Sequence, residues 1–100
     1  MSTTPGIDAI LNEREKTHGA YEVHARITQR LKAVVTEAVA YRKSTNKSEL
    51  TASMLETLDM TCHKMGRILA GDPSEPDHWR DIAGYNELVV REIVRDPRAS

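Results

Sequence analysis

Apolar residues recur at three- and four-residue spacing through most of this chain, and nowhere do they alternate. Val23, Ile27, Leu31, Val34, Val35 and Ala38 mark one stripe. Met54, Leu58, Met65 and Leu69, flanked by Leu55 and Cys62, mark a second, and Trp79, Ile82, Tyr85, Leu88, Val89 and Ile93 a third and broader one. A turn of ~100° per residue puts each set on one helix face, whereas a strand would demand strict alternation. The breakers between the stripes set the boundaries. Thr4-Pro5 predicts the start of a short helix carrying Ile7, Ile10 and Leu11, which fades at His18-Gly19. A long helix is expected from Ala20 to about Arg42, then a polar loop over Lys43–Lys47. Ser48 is the expected cap of a helix from about Glu49 to Ala70, which Gly71-Asp72-Pro73 stops. Ser74, with Asp77 three residues on, reads as the capping box of a last helix ended by Pro97. The expected fold is all-α, an antiparallel helical bundle of one short and three long helices. It forms one domain over 6–95 between tails at 1–5 and 96–100.

Composition limits what such a bundle can do. A chain of 100 residues with 39% hydrophobic content and no Phe must build an aliphatic core. Helical chains this short bury a modest fraction of their surface alone, so a homo-oligomer is expected. With 14 basic and 15 acidic residues the net charge is −1, which supplies no general attraction for nucleic acid or membrane. The lone Cys62 excludes an internal disulfide and a Cys/His zinc set, and fits a reducing cytoplasm. The opening MSTTPGIDAI lacks a signal-peptide pattern, and no apolar run reaches the ~18 residues of a membrane span.

Chemistry-bearing residues gather between Leu55 and Tyr85. Glu56, Asp59, His63 and Arg67 form a stripe opposite the apolar one, with Lys64 beside it. Asp77, His78 and Asp81 open the next helix, followed by Gly84 and Tyr85. Acids and bases on two adjacent helices are what a divalent metal with a phosphate chain requires, and they are equally what a solvated helix surface carries. Asp81 lies so near the apolar arc that it needs a partner. Gly84 and Gly66, each inside a helix, predict close helix crossings or a closely approaching ligand. Trp79 and Tyr85 read as core or interface anchors, or as platforms for a base. The charged run Asn12–Gly19 reads as a solvated helix end, or as an arm closing over a ligand.

The segments ILNEREKTHGAY, HARITQRLK, ETLDMTCHKMGRILAGDP and DHWRDIAGYNELV resemble a family of small phage and prophage helical proteins of unknown function. More distantly, the spacing is similar to that of the MazG-like all-α nucleotide pyrophosphohydrolases, in which paired acids on two adjacent helices hold Mg²⁺. Glu56-x-x-Asp59 matches the first pair and His78-x-x-Asp81 the second, with Asp59 standing in a Glu position and His78 replacing an acid. That resemblance implies Glu56, Asp59 and Asp81 as metal ligands and Glu56 and Asp81 as the catalytic acids. It implies Lys64, Arg67, His78, Trp79 and Tyr85 as the ligand-binding set. Mg²⁺ or Mn²⁺ is the implied cofactor, the imidazole suiting Mn²⁺ better.

Three functional readings follow. A phosphate-bearing nucleotide is hydrolysed with a metal. Or the same nucleotide, such as a host defence signal in the cytoplasm of an infected bacterium, is bound and sequestered without chemistry. Or the chain is a non-enzymatic protein that inhibits a host protein through a helix face. No nucleophile elbow is present, and no helix is basic enough for helix-turn-helix DNA binding.

Overall fold

The computed structural model describes residues 5–95. It is all-α, with four helices: α1 (Pro5–His18), α2 (Tyr21–Ser44), α3 (Ala52–Ala70) and α4 (Pro76–Arg95). Residues 1–4 and 96–100 of the expected tails, with the Thr4 cap and the Pro97 stop, lie outside the described residues, and Pro5, expected in the tail, already opens α1. Among the described residues there is no strand, and no helix is long and apolar enough to cross a membrane.

The local chemistry explains each boundary. Gly19 ends α1 in the left-handed region (φ 80°), and its N–H returns 2.8 Å to the Glu15 carbonyl. No other residue type suits this turn, because a Cβ at Gly19 would run into the Ala70 backbone and lie 2.9 Å from the Ala70 Cβ. α2 runs two residues past Arg42, and Asn46 takes a left-handed conformation (φ 63°) in the turn that follows. Thr51, not Ser48, caps α3: its Oγ1 accepts the Met54 N–H at 3.2 Å. Ser48 is engaged elsewhere, its carbonyl accepting from an Arg42 Nη at 2.8 Å. Ser74 is not a cap either. Its N–H donates to Asp72 Oδ1 at 2.9 Å, and α4 begins two residues later with Pro76 in its first turn.

α3 is the middle of the assembly. It packs antiparallel against α2 on one side and α4 on the other, while α1 rests on α2 and α3. Among the described residues α2 and α4 make no close backbone approach to each other, so the three long helices form an open layer. The α2–α3 crossing is tight at Gly66, where a Cβ would meet the Thr28 hydroxyl and lie 2.8 Å from His24 Cδ2. Gly66 therefore marks a close helix crossing as expected. Gly84 does not: nothing within 4 Å would meet a Cβ there. The face α2 turns to α3 is also not the centre of its apolar stripe. His24 and Thr28 are buried against Gly66, whereas Val23 and Val34 are exposed. Between α3 and α4, Ser53 Oγ donates to Glu92 Oε1 at 2.9 Å and Lys64 Nζ lies 2.8 Å from Asp81 Oδ2.

The core is thin. Cys62 is the one buried hydrophobic residue among the described residues, and the other buried side chains are His24, Thr28, Thr57, Lys64 and His78. The radius of gyration is 17.0 Å, against about 13 Å for a compact domain of this length.

Candidate functional site

Three helices converge where α1 ends and α2 begins. Gly19 allows the sharp reversal between them, and Gly71 lets the end of α3 press against the backbone of His18 and Gly19. The Thr17 carbonyl, left without an intrahelical partner at the end of α1, accepts two N–H groups. One is the Asp72 backbone N–H at 3.0 Å, the other the His78 ring Nε2–H at 3.1 Å. This one oxygen ties α1 to the α3–α4 loop and to the first turn of α4.

A cavity of about 430 Å³ opens against that junction. Leu11, Arg14, Glu15 and His18 of α1 form one wall, with Gly19 at the turn. Tyr21 and His24 of α2 and His63 and Arg67 of α3 form the other. Two guanidinium groups and three imidazoles thus face a space with one carboxylate, Glu15, on its lining. The rings are held in place. His24 Nε2 lies 3.1 Å from the His63 carbonyl, so it must donate and leave Nδ1 bare in the neutral ring. The His24 and His63 rings meet edge to face at 4.7 Å, and His18 stands 5.4 Å from His78.

The electrostatics of the cavity are one-sided. Burial, and then the nearby Arg67 charge, push His18 down to about 4, with His78, Lys64 and His24 adding to the effect. His63 is pushed down to about 4 by the same two leading causes, followed by His24, Lys64 and Lys32. Both imidazoles are neutral at pH 7 because protonating them would add charge to an already cationic, partly dehydrated site. An arrangement of this kind can donate hydrogen bonds from neutral rings and fixed guanidinium groups to an anion.

The residues singled out in the sequence are distributed differently. Arg67 lines the cavity. Lys64 does not: its side chain is 10% exposed and paired to Asp81. That pairing holds the Asp81 carboxyl below its usual range, and it answers the need for a partner near the apolar arc. His78 is 2% exposed and serves the Thr17 carbonyl. Trp79 donates from Nε1 to the Pro73 carbonyl at 2.8 Å with its ring half exposed. Tyr85 and Asp81 line a separate shallow hollow with Arg80, Gly84 and Leu88. Glu56 is exposed and Asp59 half-buried on α3. Among the described residues no three His, Cys, Asp or Glu side chains come close enough together to hold a metal ion. The trio of Glu56, Asp59 and Asp81 is therefore not assembled within one chain, because Asp81 leans to Lys64 on the α4 side of α3.

Sequence reasoning missed Arg14, His18, Tyr21 and His24 as parts of one site. The available signal was the charged run ending in His18-Gly19, noted only as an arm that could close over a ligand. No family model matches this chain, and neither a curated protein nor a solved structure shows significant similarity to it.

Proposed function

We propose that this protein binds a small phosphate-bearing ligand of nucleotide size in the cavity between α1, α2 and α3, and binds it without hydrolysis. The observation that carries the reading is the convergence of Arg14, Arg67, His18, His24 and His63 on one concave space of about 430 Å³. That volume lies within the usual ~300–1,000 Å³ of small-molecule sites. Arg67 and Arg14 present planar forks suited to phosphate oxygens. His18 and His63 add donors, or take up protons as the anion arrives. Tyr21, 80% exposed at the rim, offers a ring face for a base.

Binding without turnover is the better supported form. Metal-assisted hydrolysis in the MazG manner needs several carboxylates around Mg²⁺ or Mn²⁺. Glu56, Asp59 and Asp81 are not gathered for that within one chain. A protein of this kind sequesters its nucleotide.

Calorimetry at low ionic strength with ATP, GTP and inorganic pyrophosphate, with and without Mg²⁺ or Mn²⁺, tests this. The expected result is stoichiometric binding that weakens at least ~10-fold in Arg67→Ala, the loss of one charge-assisted contact. Arg30→Ala, on the exposed side of α2, leaves affinity unchanged. The recovered nucleotide is intact. Absence of binding at millimolar ligand overturns the reading, and release of pyrophosphate or phosphate overturns its non-catalytic form.

A further inference from the structure

We propose that a second cavity, at the C-terminal end of α2, binds a short aliphatic carboxylate. It has a volume of about 200 Å³ and lies between the last turns of α2, the loop that follows and the start of α3. Arg42 and Lys43 reach it from α2 and Lys47 from the loop, while Val39, Leu50 and Leu55 supply aliphatic surface. Among the described residues none of the three cations pairs with a carboxylate, not even with Glu49, the one acid on the lining. The Arg42 guanidinium is held in place. One Nη donates to the Ser48 carbonyl at 2.8 Å and to the Ser48 hydroxyl oxygen at 3.2 Å. Its Nε is buried with no hydrogen-bond partner, an unmet donor of a kind that folded proteins rarely leave. The Ser48 hydroxyl, accepting from Arg42, keeps its own proton to donate.

Charge and size together select the ligand. The helix dipole accounts for Arg42 and Lys43 in the last turn of α2. It does not account for Lys47, which lies beyond the helix end, or for an aliphatic wall beside three positive charges. The carbonyls that would repel an anion are already engaged: Tyr41 and Arg42 accept the Thr45 N–H, Arg42 accepts Lys47 as well, and Lys43 accepts Asn46. A carboxylate head can therefore take donors from Arg42 and Ser48, with the Lys43 and Lys47 charges beside it. The cavity holds the volume of about seven waters, below the ~300 Å³ at which nucleotide-sized sites begin. About seven is also the number of non-hydrogen atoms in pentanoate, whereas an inorganic anion would leave Val39, Leu50 and Leu55 uncovered. The Arg67 cavity stands at the other end of α2, so this site does not rest on the nucleotide reading.

NMR titration of the full chain with acetate, butanoate, pentanoate and octanoate at constant ionic strength tests the proposal. The Arg42 Nε–H and the backbone signals of residues 47–50 should move together. Affinity rises about fourfold per added methylene up to pentanoate and no further in octanoate. Arg42→Gln, which keeps a donor for the Ser48 carbonyl, weakens pentanoate about 10-fold. Lys16→Ala, at an exposed base on α1, leaves it unchanged. A second measurement does not depend on a variant folding: the pentanoate methyl shows nuclear Overhauser contacts to the Leu55 methyls of the native chain. No movement at tens of millimolar pentanoate, an affinity independent of chain length, or inorganic phosphate bound as tightly as pentanoate overturns the proposal. Tighter binding of a peptide ending in leucine overturns the free acid as the ligand and assigns the cavity to a chain terminus.

Discussion

The ring Nε2 of His78, on α4, donates to the carbonyl oxygen of Thr17, on α1, over 3.1 Å, and His78 is 2% exposed. Sixty-one positions separate the two residues in the chain. The bond holds the end of α1 where Arg14 and His18 can face Arg67.

Removing that ring should loosen the junction. His78→Ala leaves a cavity and strips one donor from the Thr17 carbonyl, which predicts a loss of about 2–4 kcal/mol in urea denaturation. His78→Gln keeps a side-chain N–H and recovers part of it. Ligand affinity falls with His78→Ala even though the ring is not on the cavity lining.

The two mid-helix glycines should respond oppositely to alanine. At Gly66 the new methyl meets Thr28 and His24, and overpacking predicts about 1–3 kcal/mol of destabilisation. At Gly84 the methyl meets nothing, so the helix-propensity gain of up to ~1 kcal/mol is retained. Thermal midpoints of the two variants, read side by side, decide this.

The Lys64–Asp81 pair predicts an asymmetry. Asp81→Ala strands a buried ammonium and lowers the thermal midpoint. Lys64→Met in the same chain restores most of the loss, because an apolar side chain of similar length suits the 10% exposed site. A double-mutant cycle measures the coupling directly. An unchanged midpoint in Asp81→Ala alone would contradict the pairing as a source of stability.

Stability should fall as pH drops from ~6.5 to about 4. His18 and His63 take up protons near 6.5 when unfolded but only near 4 when folded. Within that window the unfolded chain holds more protons, so each step toward acid favours it. The expected loss is on the order of a few kcal/mol by pH 4. Below that, protonation of Asp81, whose carboxyl is held down by Lys64, continues the decline in the same direction. Urea midpoints at pH 7, 6, 5 and 4 check the slope, and His18→Gln with His63→Gln flattens its upper part.

How much of this was legible in the sequence differs between fold and site. The all-α architecture and the stops at Gly19 and Gly71 followed from periodicity and glycine chemistry, which act over a few residues. Ser48 and Ser74 were misplaced as caps because a serine's partner is decided by what lies nearby. Arg42 takes the Ser48 carbonyl, and Asp72 takes the Ser74 N–H. The site was harder still. Arg67 could be picked out, but Lys64 beside it, one helical step round α3, faces α4 and is neutralised there. His18 and His24 come to His63 across intervals of about forty residues, and no local pattern encodes that meeting. Gly66 held a hint, since a missing side chain on α3 makes room for His24 and Thr28 on α2.

The central claim is that the imidazoles and guanidinium groups at the α1–α2–α3 junction form a receptor for phosphate oxygens. NMR titration of the His18 and His63 ring carbons, with and without saturating inorganic pyrophosphate, tests it most directly. The free protein should show both rings titrating near 4, and a bound anion should raise both by about 1–3 pH units. Rings that titrate at the same pH with and without millimolar pyrophosphate would contradict the account.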